Sequence, residues 1–258
     1  MPGTAHIGTF RFLGSLNDHL PDTDSPEGLD IGFDLAPSVK DVIESAGVPH
    51  VEVYGIRVNG EWKDFSYNLR DGDDVTVYPK ERIPDPGRRF DLKPADRLPD
   101  RFVADLHLGK LARLLRLTGI DTLYDNELGD AEIVRLAERE GRAVLSRDIG
   151  LLKHGSLGFG YRPRSDDPDR QVVETLAYFE LAHRLAPFSR CMACNGRLEP
   201  AASEEVEHRV PEGVKAWNEE YRRCATCGKI YWKGSHYEKL RQTVADIRTR
   251  LAKERQGS

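Results

Sequence analysis

Apolar and polar positions in the first 80 residues follow the pattern of a small mixed domain. Residues 7–13 alternate apolar with polar side chains, as a half-buried strand does, and residues 38–46 have the spacing of an amphipathic helix behind an N-capping serine. Two more strands are predicted at 51–58 and 74–78. This order predicts an α+β domain over residues 6–80, in which one helix packs across a mixed sheet.

Prolines break the periodic pattern in the next segment. Five of them are interleaved with charged residues between positions 79 and 99. This composition predicts an extended linker, which we place at residues 81–99.

Strands then alternate with helices, which predicts an α/β domain with a parallel sheet over residues 100–188. Apolar runs predict its strands, at 102–106, 120–124 and 143–146. Amphipathic segments predict its helices, at 108–117, 128–140, 149–153 and 172–185. The first helix carries three basic residues that we assign to its polar side, namely Lys110, Arg113 and Arg116.

Residues 236–258 carry the pattern of a charged C-terminal helix. Its apolar positions recur at helical spacing, at Leu240, Val244, Ile247 and Leu251. The stripe predicts a helix that either packs back on the body of the protein or mediates assembly.

Composition is typical of a globular protein and excludes a membrane-spanning one. The 258 residues are 39% hydrophobic and 31% charged, without an apolar run near the ~18 residues that a membrane helix needs. We find neither a basic leader nor an apolar export segment. We therefore expect a cytoplasmic protein without a membrane partner.

Charge is distributed unevenly along the chain. The net charge is −5, but residues 1–97 hold 11 Lys and Arg against 18 Asp and Glu, a net −7. The remainder holds 27 against 25, a net +2. The acidity is therefore N-terminal, and the rest of the chain is compatible with a nucleic-acid partner if its basic groups converge on one face.

Two C-x-x-C pairs indicate a metal site. With 29 residues between the pairs, the cysteines are Cys191, Cys194, Cys224 and Cys227. Each C-x-x-C turn brings two thiolates towards one tetrahedral ion, and in a reducing compartment such cysteines are more often metal ligands than disulfides. We expect a structural Zn²⁺ in a ribbon at residues 189–235, with Gly196 and Gly228 adopting the positive φ of the turns. A redox dithiol is the alternative.

Basic and aromatic residues are interleaved between and beyond the two cysteine pairs. They include Arg222, Arg223, Lys229 and Tyr231, a mixture that suits RNA binding. For Trp217 and Trp232 we favour a role in the small core of the ribbon.

Acidic residues follow each predicted strand of the α/β domain. Asp105 ends the first strand, Asp125 and Glu127 follow the second, Asp130 opens the next helix and Asp148 follows the third. The carboxyl ends of parallel strands are where ligands gather, and clustered carboxylates repel one another unless a cation lies between them. Mg²⁺ or Mn²⁺ is the cation that such oxygen ligands prefer. Helix N-capping is the alternative role for Asp130 and Asp148.

Three sequence blocks around these acids resemble one known family. Residues 105–116 (Asp-Leu-His-Leu-Gly-Lys-Leu-Ala-Arg-Leu-Leu-Arg), 125–130 (Asp-Asn-Glu-Leu-Gly-Asp) and 145–153 are similar to the Mut-seven C-terminal ribonuclease family, a PIN-like nuclease domain followed by a zinc ribbon. The resemblance runs from about residue 101 to residue 233.

This resemblance implies cleavage of RNA that depends on Mg²⁺ or Mn²⁺. PIN-like sites belong most often to endonucleases, so endonucleolytic cleavage is expected. Asp105, Asp130 and Asp148 occupy the acidic metal-binding positions, and Asp125 or Glu127 is a possible additional acid. The PIN mechanism implies products with a 3′-hydroxyl and a 5′-phosphate.

The N-terminal domain resembles the β-grasp of ubiquitin-like and sulfur-carrier proteins. The similarity lies in residues 57–60 (Arg-Val-Asn-Gly), 69–75 and the final strand. Sulfur carriers end in a free Gly-Gly tail, whereas this chain continues into residues 79–81, so carrier chemistry is not expected. Some members of the ribonuclease family have a ubiquitin-like module in this position, where we expect it to bind a protein partner or to stabilise the protein.

Basic residues near the acids are candidate RNA contacts. They are Lys110, Arg113, Arg147, Arg162 and Arg164, the last two in a glycine-containing loop that suits single-stranded RNA. A solvated surface is the alternative role for each of them.

Two hypotheses follow from the sequence. The first is a metal-dependent ribonuclease whose zinc ribbon helps to bind RNA, either single-stranded or structured. The second is a non-catalytic RNA-binding or adaptor protein that uses a nuclease-like fold.

Overall fold

The computed structural model describes residues 6–21, 28–215, 218 and 220–257. The chain divides into two compact units. The first consists of residues 1–98 and 146–162, and the second of residues 99–145 and 163–258.

The first unit contains a mixed sheet. In the part of the chain that is described, its strands are β1 (His6–Phe12), β2 (Leu29–Phe33), β3 (Gly55–Val58), β4 (Glu61–Lys63) and β5 (Asp74–Tyr78). They lie in the order β2-β1-β5-β3-β4, with β1 parallel to β5 and the other neighbours antiparallel. The predicted mixed sheet is therefore confirmed.

Helix α1 (Val39–Ser45) covers one face of this sheet, as the sequence predicts. The Oγ of Ser38 accepts a hydrogen bond from the Asp41 amide at 3.2 Å and caps the helix. Val39, Val42 and Ile43 are buried, at the spacing of one helix face. They join a core formed by the inward-facing side chains of the strands, among them Phe10, Phe12, Ile56, Val75 and Val77.

The prediction of a strand at residues 51–58 is wrong for its first half. His50–Glu52 form a 3₁₀ turn, and the strand begins only at Gly55. The turn is stabilised by buried polar contacts, because Nε2 of His19 lies 2.8 Å from Oε2 of Glu52. Strands β2 and β4 were not predicted, since one is a five-residue segment that contains a glycine and the other is three residues long.

The predicted linker packs within the first unit. It contains two short 3₁₀ turns, Lys80–Arg82 and Pro86–Arg88. Leu92 packs against the core, and Nζ of Lys93 donates a hydrogen bond to the Val51 carbonyl at 2.7 Å. Residues 81–98 thus belong structurally with the domain that precedes them.

Residues 146–162 are also part of the first unit. They include helix α4 (Ile149–Leu152) and the short strand β9 (Gly160–Tyr161). The His50 Nε2 donates to the Leu157 carbonyl at 2.8 Å, and the Arg162 amide donates to Oε1 of Glu52 at 2.7 Å. The segment is therefore anchored by the same turn that interrupts the predicted strand.

The second unit contains parallel strands, as predicted. They are β6 (Arg101–Ala104), β7 (Asp121–Leu123) and β8 (Ala143–Leu145), with β6 paired to both of the others. The helices of this part are α2 (Gly109–Leu117), α3 (Asp130–Glu140) and α5 (Pro168–Tyr178). Each begins or ends within a few residues of its predicted bounds, except that α5 stops at Tyr178 and a 3₁₀ turn follows at Leu181–Arg184.

An antiparallel sheet follows in the same unit. Its strands are β10 (Leu198–Ala201), β11 (Tyr221–Cys224) and β12 (Ile230–Trp232), and two short helices, α6 (Ser203–Val206) and α7 (Glu212–Lys215), lie between the first two. Trp232 packs against a small core of Val206, Val210, Tyr221 and Ile230, which supports its predicted core role. Trp217 lies outside the described residues.

Helix α8 (Ser235–Gly257) packs back on α5. Val244, Ile247 and Leu251 are buried, so the predicted stripe forms part of the core of the second unit. Among the described residues, none of the helices has the length and apolarity to cross a membrane.

Lys93 gives the first unit a predicted dependence of stability on pH. Burial lowers its pKa to about 7, although the charge of Glu52 opposes this shift. In the unfolded chain the pKa of a lysine is about 10.4. Between about pH 7 and pH 10 the unfolded chain therefore binds one more proton at Lys93 than the folded chain does. The free energy of unfolding consequently rises with pH, by up to about 1.4 kcal/mol per pH unit. We expect this rise of the unfolding free energy with pH to be absent in Lys93→Met, as measured by urea unfolding at pH 7, 8 and 9.

The relevant quantity is the stability of the wild type minus that of Lys93→Met, which should increase with pH. Lys239→Met, at an exposed position on α8, is the matched control. A difference that stays constant from pH 7 to pH 9 would contradict the role of burial at Lys93.

Candidate functional site

The four cysteines converge in the second unit, as the sequence predicts. The Sγ atoms of Cys191 and Cys227 are 3.7 Å apart, and those of Cys194 and Cys224 are 3.4 Å apart. All four sulfurs lie within 4.8 Å of one another. Sulfurs bound at ~2.3 Å to a tetrahedral ion would be about 3.8 Å apart, so this cluster can hold one metal ion.

Two tight turns shape the cluster. The Asn195 amide donates to the Cys191 carbonyl at 2.9 Å, and the Gly228 amide donates to the Cys224 carbonyl at 3.0 Å. Asn195 and Gly228 have φ of 70° and 71°. The expectation for Gly228 is therefore confirmed, but in the first turn the positive φ falls on Asn195 and not on Gly196.

Gly196 is required for a different reason. A Cβ atom at this position would lie 2.7 Å from the Cys224 Sγ and 2.4 Å from the Thr226 Oγ1. The absence of a side chain lets the two turns approach each other across the cluster.

Hydrogen bonds favour the ionised form of one ligand. Burial of Cys191 opposes ionisation, but the Tyr231 hydroxyl, 3.0 Å from its Sγ, and the amides of Cys194 and Ala193 outweigh it and lower the pKa of Cys191 to about 6. Since the thiolate is the form that binds metal, this environment suits a ligand.

Arg116 joins the first cysteine turn to the parallel sheet. Its guanidinium donates to the Ala193 carbonyl at 2.8 Å and to the Met192 carbonyl at 3.3 Å. It also donates to the carbonyls of Thr122 at 2.9 Å and Tyr124 at 3.2 Å, at the end of β7. The assignment of Arg116 to the polar side of its helix is therefore wrong: the side chain is 3% exposed because these carbonyls satisfy it.

Asp121 forms a second connection between the cysteine turn and the sheet. Its carboxylate accepts hydrogen bonds from Arg142 at 2.7 Å, Asn195 at 2.8 Å and Arg190 at 3.1 Å. Burial would raise the pKa of Asp121, but these bonds and charges lower it below its usual value. The Asn195 Oδ1 in turn accepts from the Thr122 amide at 3.1 Å, so the turn continues the hydrogen bonding of β7.

Asp105 lies at the carboxyl end of the central strand β6, as predicted. Its amide donates to the Leu145 carbonyl of β8 at 2.9 Å. Its Oδ1 accepts from the Leu106 amide at 2.6 Å and caps the 3₁₀ turn Leu106–Leu108. The side chain is 3% exposed, so Asp105 is a buried carboxylate at a strand end.

The other predicted acids are exposed and lie in both units. Asp130 is the first residue of α3, but its N-cap is Gly129, so the capping alternative does not apply to it. Asp125 and Glu127 lie in the loop after β7. Asp148 belongs to the first unit and caps α4, where its Oδ1 accepts from the Gly150 amide at 2.7 Å.

Within the described ranges, the four cysteines are the only group of three or more potential ligands whose atoms all lie within 4.8 Å of one another. The carboxylates are thus brought to strand and helix ends without forming so tight a cluster.

The predicted RNA contacts have different exposures. Lys110 and Arg113 are exposed on α2, whereas Arg147, Arg162 and Arg164 are partly buried. The Arg164 amide donates to the Glu174 Oε2 at 2.8 Å, which fixes the backbone of the loop there.

Sequence reasoning missed Arg116, Asp121 and Asn195. The first two interact with residues about 70 or more positions away and have no local signal. The Asn195-Gly196 pair directly after a cysteine is a turn signal that identifies the third.

Comparison with known families gives two matches. Residues 100–244 match the Mut7-C RNAse domain, and residues 5–85 match the Mut7-C ubiquitin domain. No curated protein and no solved structure matches the chain significantly.

The crowding at Gly196 predicts the effect of a single methyl group. We expect Gly196→Ala to weaken binding of one divalent ion by at least about tenfold, because the cluster must expand to accommodate the Cβ. The measurement is competition for Zn²⁺ with a chromogenic chelator. Gly213→Ala is the matched control, since a Cβ there meets nothing within 4 Å. Equal affinities of the two variants would show that the close approach does not constrain the site.

Proposed function

Because the chain belongs to the Mut7-C ribonuclease family and carries the ubiquitin-like domain of that family at its N-terminus, we propose that it hydrolyses RNA phosphodiester bonds with divalent metal ions. The match to the RNAse domain over residues 100–244 carries this proposal. The acidic residue at the end of the central strand supports it.

The proposed catalytic residues are Asp105, Asp130 and Asp148, with Asp125 or Glu127 as a possible further acid. Their carboxylates would hold Mg²⁺ or Mn²⁺, which supplies the charge that stabilises the transition state and activates water. Asp105 suits this role because it is buried at the carboxyl end of β6, where ligands of parallel sheets bind. Attack by water would leave a 5′-phosphate and a 3′-hydroxyl. We propose that the cuts are endonucleolytic.

Basic side chains would bind the RNA backbone. Lys110 and Arg113 are exposed three residues apart on α2, and they follow Asp105 by five and eight residues in sequence. Arg147, Arg162 and Arg164 are further proposed contacts. The proposed substrate is RNA, either single-stranded or structured.

For the remaining parts we propose supporting roles. Zn²⁺ is the ion that four clustered thiolates select, and the antiparallel sheet β10-β11-β12 would form a zinc ribbon that aids RNA binding. The parallel sheet would be PIN-like. The N-terminal sheet with its parallel β1–β5 pair would be a β-grasp that binds a protein partner.

A non-catalytic RNA-binding or adaptor role is the second candidate. The observation that favours it is the capping of helical turns by Asp105 and Asp148, a structural role that needs no metal. The two candidates differ in whether these carboxylates are needed for cleavage.

We predict that Asp105→Asn and Asp148→Asn each lower the rate of RNA cleavage by at least ~100-fold, since metal stabilisation of the transition state is worth several kcal/mol. RNA binding should change little, because asparagine retains the capping oxygen. The assay uses labelled single-stranded and hairpin RNA in Mn²⁺, Mg²⁺ or EDTA, with binding measured in parallel.

Asp246→Asn on α8 is the matched control for charge and should cut RNA at the wild-type rate. Cleavage that persists in both active-site variants would refute the assignment of these acids. Binding without cleavage in any metal would favour the adaptor role.

A further inference from the structure

Tyr124 connects the end of β7 to the turn that carries Asp105. Its Oη donates to the Leu106 carbonyl at 3.1 Å and also contacts Oδ1 of Asn126. The phenol has one hydrogen, so both contacts are satisfied together when Asn126 presents its amide nitrogen.

Two backbone groups of Leu106 connect Asp105 with Tyr124. The amide of Leu106 donates to the Asp105 carboxylate, while its carbonyl accepts from Tyr124. The Leu106 side chain is 46% exposed and therefore does not fix this backbone by packing. The Tyr124 hydroxyl is one restraint on the residue whose amide contacts the carboxylate.

Gly109 leaves room for the tyrosine. A Cβ at this first position of α2 would lie 2.5 Å from the Tyr124 Oη and 2.7 Å from its Cζ. The ring therefore rests directly against the start of the helix, and a methyl group there would displace the hydroxyl from Leu106.

At its other end Tyr124 is joined to the cysteine cluster. Arg116 donates to the Tyr124 carbonyl at 3.2 Å and, with the same guanidinium, to the Ala193 carbonyl at 2.8 Å. Ala193 lies between the metal-binding positions Cys191 and Cys194. A continuous series of hydrogen bonds thus runs from the first cysteine turn through Arg116 and Tyr124 to Asp105, all within the second unit.

We propose that Arg116 and Tyr124 are positioning residues through which metal binding at the four cysteines fixes the orientation of Asp105. The inference rests on the proposed nuclease function for its catalytic consequence. With a metal ion bound, the turn holds the Ala193 carbonyl in place for Arg116. Without the ion the first cysteine turn is no longer held by metal bonds. The restraint that Arg116 and Tyr124 place on the Leu106 backbone then weakens.

Hydrogen exchange tests the structural coupling without any assay of activity. The full chain is compared when loaded with Zn²⁺ and after chelation, and the amides of Leu106 and Leu108 are followed. Both are hydrogen-bonded to Asp105, so we expect chelation to speed their exchange about as much as Tyr124→Phe does in the Zn²⁺-loaded protein.

Kinetics tests the consequence for catalysis. Tyr124→Phe should lower kcat by about five- to tenfold, the effect of one hydrogen bond, with KM for RNA unchanged and Zn²⁺ affinity retained. Gly109→Ala should lower kcat similarly, although alanine is the better helix former. Tyr237→Phe and Gly213→Ala are the matched controls and should leave kcat unchanged.

A double-mutant cycle with Arg116→Lys tests whether the two residues act in series. Lysine keeps the charge but loses the planar fork. We expect Arg116→Lys to weaken Zn²⁺ binding and to lower kcat. In the double variant with Tyr124→Phe, the fold reduction in kcat should be smaller than the product of the two single fold reductions.

Three outcomes decide the proposal. Faster exchange at Leu106 and Leu108 on chelation, with non-multiplicative kinetic effects, supports it. Faster exchange confined to residues 191–232, or purely multiplicative effects, overturns it. If the wild type cuts no RNA, the proposed function fails, and the exchange result alone then decides whether the cysteine site restrains Asp105.

Discussion

The guanidinium of Arg116 is the interaction on which the second unit depends. A buried arginine is tolerated where acceptors bind its N–H groups, and here four backbone carbonyls from two separate parts of the chain accept hydrogen bonds from the guanidinium. Two of these belong to the cysteine turn and two to the end of β7. With the Asp121 network beside it, this arrangement makes the metal-binding turn an extension of the parallel sheet. The cysteine turn is thereby joined to the parallel sheet through both side chains and backbone.

The first unit shows a similar use of buried polar groups. Glu52 contacts His19 through one oxygen and the Arg162 amide through the other, and His50 donates to the Leu157 carbonyl. These contacts make residues 146–162 part of the same compact unit as the N-terminal sheet. Asp148, a proposed catalytic residue, lies in this segment.

Local patterns were sufficient to predict the elements whose determinants are local. The Ser38 cap and the buried stripe of Val39, Val42 and Ile43 gave α1, and the cysteine spacing gave the metal cluster. The turn at His50–Glu52 was missed because distant side chains stabilise it, and the apolar residues around it have the composition of a strand. Arg116 was placed on a polar face because its partners lie up to 77 residues away. The position of Asp105 at a strand end could be predicted, whereas the contacts that orient it depend on tertiary structure.

The proposed hydrolysis of RNA by metal-activated water determines the chemistry of the product ends. Purified protein would cut a labelled RNA in Mn²⁺ and H₂¹⁸O under single-turnover conditions, with the ends analysed by mass spectrometry. We expect a 3′-hydroxyl and a 5′-phosphate that contains one ¹⁸O atom, because water attacks the phosphorus. A 2′,3′-cyclic phosphate without solvent oxygen would contradict it, since attack by the ribose hydroxyl requires no activated water.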